Sequence, residues 1–372
     1  LEPALLQTFI DTARKFARRE VASMLGIEGR DGNLEKIPAV LASAAEIGLL
    51  AAADPESPGF EYGVWGKACL TEGPSASLAI LEEISQGCAG VAACLHFAGL
   101  GALELFGSEQ KSRTTAVALF EDSWRLDHSV LQTPPGSALQ IVQESDRLVL
   151  SGAKSLVMSA PDCQGYVVYG AGQAGWRRVL VPLNTPGLEI EDAGWRTGLA
   201  ALKVVNLNFN KAAVNAMNEL PDQNCSGFLH RLWLGLSAIA VGNARAAVAE
   251  ASAYAAERYQ GGTKIINHPA IKILLGDAFS RVQASRAMLQ SLASSDRDDA
   301  SSLRRAASAK LRITLDCCQA VTDSLQVLGG YGYMEDYRLE KRLRDALCLK
   351  VMAGRPDELR IFCAGESAEA LT

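Results

Sequence analysis

Several residues in this 372-residue chain have side chains that could do chemistry, and each reading is set by its surroundings. His96 lies in the apolar run Cys94-Leu95-His96-Phe97, and His128 follows Leu126-Asp127. An imidazole titrates near neutrality and can pass a proton, yet a lone histidine in an apolar run is usually hydrogen-bonded structure. His230 and His268 read as helix-boundary residues. The 9 cysteines contain no Cys-x-x-Cys and have no histidine cluster beside them. A disulfide framework or zinc site needs paired spacings, so buried, reduced thiols in a reducing compartment are expected. Gly170-Ala171-Gly172-Gln173-Ala174-Gly175 fits the dinucleotide fingerprint and follows a strand. That mechanism requires a helix N-terminus facing the pyrophosphate, whereas Trp176-Arg177-Arg178-Val179-Leu180-Val181-Pro182 reads as a strand. A hairpin loop is expected there.

These residues must be held by elements of two textures. Up to about Phe120 the chain is rich in Ala and Leu at helical spacing. Ile37, Val40, Leu41, Ala44 and Ile47 form one stripe, with Asn33 placed to cap and Gly48 to stop it. Later helices are expected around Leu78–Gln86 and Ala89–Phe106. Between about Trp124 and Asn218 short β-branched runs alternate with Gly, Pro, Asn and Asp, and strands are expected at Arg147–Ser151, Gly165–Tyr169, Arg178–Pro182 and Val204–Phe209. From Gly227 long helices return, near Leu229–Arg258, His268–Leu292 and Ser302–Leu328.

Composition narrows the class. A hydrophobic content of 48% suffices for real cores, and the length predicts two or three domains. The net charge of -6, with no basic run, excludes a nucleic-acid partner. No apolar run long enough to span a bilayer and no signal peptide at Leu1-Glu2-Pro3 are read, so a cytoplasmic protein without membrane insertion is expected.

The C-terminal third is more specific. Gln326-Val327-Leu328-Gly329-Gly330-Tyr331-Gly332-Tyr333 is followed by Glu340 and by Arg342-Leu343-Arg344-Asp345-Ala346. Upstream stand Glu82-Glu83-Ile84 before Cys88-Ala89-Gly90-Val91, then Gly152-x-Lys154, Thr185-Pro186-Gly187, and Glu257-Arg258 through His268. In order and spacing this resembles the acyl-CoA dehydrogenase family over nearly the whole chain. The resemblance implies an α+β multidomain protein with an N-terminal α-helical domain (1–121), a middle antiparallel β-barrel domain (122–219) and a C-terminal four-helix bundle (220–372).

The resemblance also implies roles. The family's catalytic glutamate would fall at Ala353, within Met352-Ala353-Gly354, and its other known location falls in Arg231-Leu232-Trp233-Leu234. Neither carries a carboxylate. Glu358 lies five positions past Ala353 and is expected at the surface. His96 would line the base of the acyl pocket, and His128 would precede the flavin-contact strand. FAD (flavin adenine dinucleotide) is the implied cofactor. Its adenylate half would be gripped across a subunit interface by Arg258, Gln326, Gly329 and Gly330, where a planar guanidinium suits phosphate and glycines allow close backbone approach. In the subunit's own cradle Gly136 and Ser137 persist, but Leu131, Leu156 and Met158 stand where hydrogen-bonding or aromatic residues are usual. Ala200 replaces an arginine, and Arg355-Pro356-Asp357 replaces further nucleotide contacts.

The implied function is α,β-dehydrogenation of an acyl-CoA thioester, with electrons passed to an electron-transferring flavoprotein. The alternative is a non-catalytic paralogue, serving as a structural or flavin-sharing subunit or as an acyl-CoA binding protein. A homo- or hetero-oligomer is expected in either case, because long apolar helices need partners.

Overall fold

A computed structural model of the chain describes residues 2–25, 34–108, 114–122, 126, 138–173, 175–221, 225–293 and 300–365. Helices come first: α1 (Pro3–Phe16), α2 (Ile37–Glu46), α3 (Ser75–Gly87) and α4 (Ala89–Glu104). Pro3 opens α1, where a missing amide is harmless, and Arg14 and Lys15 close it, where cations suit the carbonyl end. Ile37, Leu41 and Ala44 form the buried stripe of α2, as their spacing requires. Every residue of α4 is buried, so this helix has no solvent face and forms the centre of the N-terminal core.

Strands follow: β1 (Thr115–Ala118), β2 (Gln140–Glu144), β3 (Arg147–Ser159), β4 (Gly165–Ala171), β5 (Trp176–Pro182), β6 (Leu188–Asp192), β7 (Lys203–Asn215) and β8 (Glu219–Leu220). Among the described residues they make an eight-stranded sheet in the order β6-β7-β3-β2-β4-β5-β8, with β1 beside β4. The sheet is mixed where an antiparallel barrel was expected, because β1 and the end of β2 run parallel to β4. The reason is that β4 is central and buried on both faces, which parallel neighbours require. Tyr166 and Val168 fill the sheet's own core, while Val167 and Tyr169 face the helical core. The glycine fingerprint is the β4–β5 hairpin, closed by Gly172 N donating to Gly175 O at 2.8 Å.

Long helices then return: α5 (Ser226–Glu257), α6 (Pro269–Ala293), α7 (Ala300–Val327), α8 (Leu339–Val351) and α9 (Pro356–Ala364). The helical–β–helical architecture expected from the sequence is therefore present. α5 contains an apolar window of mean hydropathy 1.4, contrary to the reading that no such run exists, but 83% of it is buried against neighbouring helices. It is a core helix. Gly242 lets α5 cross α3 closely, since a Cβ there would lie 2.1 Å from Glu82 O. All nine cysteines are free thiols, and no metal-ligating cluster occurs among the described residues.

Candidate functional site

The two positions where the resemblance seeks a carboxylate lie together. Leu232 and Trp233 are fully buried on α5, and Trp233 Nε1 donates to the carbonyl of Ala353 at 2.7 Å. Ala353 sits in the turn between α8 and α9 in a left-handed conformation (φ 54), which an L-residue with a Cβ adopts only at a cost. The turn is held from a second side by Lys310 on α7, whose buried ammonium donates to Lys350 O at 3.0 Å and Gly354 O at 2.6 Å. Burial pushes the Lys310 pKa down to about 7, with Glu358 partly opposing. The indole also packs edge-on against Phe362 of α9 at 5.6 Å. The side chains that hold this turn are an indole, an ammonium and hydrocarbon.

His96 belongs to the same junction. Trp65 Nε1 donates to its Nδ1 at 2.7 Å, so its Nε2 carries the proton and donates to Leu232 O at 3.2 Å. Gly235 makes this contact possible, because a Cβ there would lie 2.2 Å from the imidazole Cε1. Complete burial depresses the His96 pKa to about 3, and its backbone bond to Leu232 only partly opposes this. Both ring nitrogens are engaged and the ring is neutral. These are the surroundings of a hydrogen-bonded structural histidine, the reading a lone histidine in an apolar run favours.

Glu358 is also occupied. Its carboxylate accepts from Arg355 N at 2.9 Å and from the Arg355 guanidinium at 3.2 Å, forming a capping box at the start of α9. Pro356 occupies the first turn of that helix, and Asp357 pairs with Arg360 at 2.9 Å. Arg355-Pro356-Asp357 thus builds a helix start.

The residues expected to grip an adenylate are brought together although far apart in sequence. Arg258 caps the end of α5, and its guanidinium lies 5.4 Å from the Tyr331 ring, in the turn that follows α7. Gln326, in the last turn of α7, and Gly330, in the turn that follows, are both exposed. A Cβ added at Gly329 or Gly330 would meet nothing within 4 Å, so the backbone is open to close approach. This half fits the phosphate-bearing end of FAD. In the stretch expected to face the flavin ring, Leu156 is 58% exposed at a bulge in β3 with φ 52, and Met158 is buried. Leu156 offers apolar surface to a ring but no hydrogen bond from its side chain. Ala200 is half-buried in the turn before β7. Leu131, Gly136, Ser137 and His128 lie outside the described residues.

The Arg342–Ala346 run was legible in the sequence, but its partners were not. Arg342 bonds Glu250 at 2.7 Å and Gln86 O at 2.9 Å, linking α8 to α5 and α3. Asp345 accepts from Lys341 at 2.6 Å and from Leu199 N at 2.8 Å, and Lys341 reaches Cys88 Sγ at 3.4 Å. The Arg-x-Arg-Asp-Ala run is therefore a clasp between helical and β parts. Trp233 and Lys310 carry no spacing signal of their own.

The sequence matches the acyl-CoA dehydrogenase N-terminal domain over residues 5–119 and the C-terminal domain over residues 226–364. The chain belongs to the acyl-CoA dehydrogenase family. It is 27% identical to the mitochondrial isobutyryl-CoA dehydrogenase of Bos taurus over 305 residues, 76% of this chain and 72% of that one. The fold is shared with butyryl-CoA dehydrogenase from Megasphaera elsdenii (22% identity, TM-score 0.82, 98% of each chain). It is also shared with an acyl-CoA dehydrogenase complexed with FAD from Bacillus anthracis (20% identity, TM-score 0.80, 97% of this chain and 67% of that one).

Proposed function

We propose that this chain is an acyl-CoA dehydrogenase-type flavoprotein that binds FAD and an acyl-CoA thioester but has lost the family's proton acceptor. Its nominal reaction is α,β-dehydrogenation with electrons passed to an electron-transferring flavoprotein. The observation that carries the reading is the junction of α5 with the α8–α9 turn, where both base positions meet and hold Leu232 and Ala353. When bound, FAD supplies the hydride acceptor. Arg258, Gln326, Gly329 and Gly330 would hold its adenylate end for a neighbouring subunit, and Gly136 and Ser137 would contribute to the chain's own cradle. Losing a positioned general base costs on the order of 10²–10⁴ in rate, so turnover of ordinary saturated thioesters is slow.

The alternative, a non-catalytic subunit paired with a flavin-competent relative, is not favoured by the relatives this chain resembles. The exposed adenylate-gripping residues persist, whereas Leu156 and Met158 offer the flavin ring no side-chain donors. The deciding experiment is flavin stoichiometry of the purified chain, alone and co-expressed with such a relative, before and after Arg258→Ala. Flavin bound by the chain alone and bleached by a saturated acyl-CoA at a slow rate supports the first reading. Flavin found only in mixed oligomers, and lost with Arg258→Ala, supports the second. Rapid bleaching at a rate ordinary for the family would refute the loss of the base.

A further inference from the structure

Trp65 is a large aromatic residue held at φ 63, a left-handed backbone that a residue with a Cβ adopts only at a cost. The knot of chain that imposes it has no slack. A Cβ at Gly63 would lie 2.6 Å from Gly59 O, and one at Gly66 would lie 2.4 Å from Glu61 O. Trp65 N donates to Ser77 Oγ at 2.8 Å, which fixes the residue from the side of α3. What this backbone delivers is the indole, fully buried, with its Nε1 donating to His96 Nδ1 at 2.7 Å. Strain of this kind persists only where the surrounding structure over-determines it, and it gathers at functional sites.

The indole and the imidazole together fill the space between α4 and α5. His96 stands on α4 and carries the line of hydrogen bonds on to Leu232 O of α5 at 3.2 Å. The two rings pack with their centres 5.7 Å apart, and the Phe97 ring lies 5.1 Å from the imidazole. Glycines on both helices bring the walls in. On α5 a Cβ at Gly235 would lie 2.2 Å from the imidazole Cε1. On α4 a Cβ at Gly99 would lie 2.0 Å from Val64 O and 3.1 Å from Trp65 Cδ1. Trp65, His96 and Leu232 are fully buried, and groups in contact at these distances leave no room for a hydrocarbon chain between them.

We propose that Trp65 and His96 form a plug that restricts this chain to short acyl groups. The inference rests on the acyl-CoA reading above, in which a proton acceptor at position 232 or 353 would reach the α-carbon. Carbons beyond that one need room beside those positions, and on the α4 side of Leu232 the room is taken by the hydrogen-bonded indole and imidazole. On the other side Trp233 and Phe362 pack together at 5.6 Å. The plug does not swing aside as a loose side chain does. Each ring is tied to the next element by a hydrogen bond, and the backbone that carries the indole is locked in its knot. Trp65 and His96 are thus specificity-determining residues that touch no proton in the reaction.

The test is isothermal titration calorimetry of the full chain, with FAD present, against butyryl-CoA and octanoyl-CoA. Each methylene that finds apolar burial tightens binding about fourfold, so the two ligands separate an open pocket from a closed one. The parent is expected to bind octanoyl-CoA no tighter than butyryl-CoA. Trp65→Gly, whose glycine takes φ 63 without strain, is expected to gain at least about tenfold for octanoyl-CoA and to keep its affinity for butyryl-CoA within about threefold. Trp65→Phe keeps a ring in the knot and should show a smaller gain of the same sign; it reads the plug if Trp65→Gly melts below the assay temperature. A parent that binds octanoyl-CoA about tenfold tighter than butyryl-CoA overturns the proposal and leaves the acyl-CoA reading standing, as does a folded variant with no gain for octanoyl-CoA. Absence of binding of both thioesters, in parent and variants alike, overturns the acyl-CoA reading itself and the plug with it.

Discussion

Asp345 of α8 accepts a hydrogen bond from the backbone amide of Leu199 at 2.8 Å, and Leu199 itself stands at φ 53 in the turn before β7. One carboxylate thus fixes a left-handed backbone in the β part while its other oxygen accepts from Lys341. All three residues are buried. Asp345→Ala removes the acceptor for Leu199 and leaves a buried ammonium without its counterion. Breaking a buried pair in this way typically costs about 3–5 kcal/mol. Chemical denaturation should show a loss of that order, and a loss within about 0.5 kcal/mol, typical of an exposed surface change, would mean that the clasp is dispensable.

Lys310 makes stability depend on alkaline pH. Its pKa falls from 10.5 to about 7 on folding because burial disfavours the charged form. Between those values the unfolded chain binds the proton more tightly, so stability rises as pH increases from about 7 toward 10.5. Lys310→Met should flatten that rise, although the carbonyls of Lys350 and Gly354 then lose their donor. Urea melts at neutral and alkaline pH compare the two proteins directly, and equal slopes for both would contradict the assignment.

The sign for His96 is the same in an acidic window. Its folded-state pKa is about 3 against an ordinary 6.5, so its contribution is fully present above the ordinary value and is lost as pH falls toward 3. His96→Phe should reduce acid sensitivity in that range while lowering stability at neutral pH, because Trp65 Nε1 loses its acceptor. In NMR titrations His96 should show no protonation step near neutrality.

At position 353 backbone and chemistry can be separated. Ala353→Gly relieves the left-handed strain at φ 54, which for an L-residue is about 1–2 kcal/mol, against about 0.5–1 kcal/mol of added chain entropy in the unfolded state. A net gain between about 0 and about 1.5 kcal/mol is expected in a thermal melt. Ala353→Glu should instead raise acyl-CoA-dependent flavin bleaching on the order of 10²-fold or more in flavin-loaded protein. A loaded Ala353→Glu variant no faster than the parent would show that the site lacks more than its base.

Periodicity made most elements legible. The expected strand Gly165–Tyr169 lies within β4, and the helices expected at Leu229–Arg258 and His268–Leu292 differ from α5 and α6 by a few residues at their ends. The fingerprint at Gly170–Gly175 was readable as a hairpin because a strand, not a helix, follows it. The parallel pairing of β1 with β4 was not legible, since Thr115 and Gly165 are joined by register across a long separation and local pattern carries no such information. For the same reason His96 was found as a residue while its partners were not: Trp65 Nε1 and Leu232 O reach it from two other elements. Trp233 and Lys310 act through backbone carbonyls of a distant turn, which leave no trace in side-chain spacing.

α5 is one unbroken helix from Ser226 to Glu257, and it carries Trp233 near one end while Arg258 caps the other. At 1.5 Å per residue these two points stand about 38 Å apart on a single stiff rod. The indole and, through its hydrogen bond, the carbonyl of Ala353 are therefore carried by the same continuous element that ends at Arg258. Whatever fixes the axial position of α5 within the bundle fixes both ends at once.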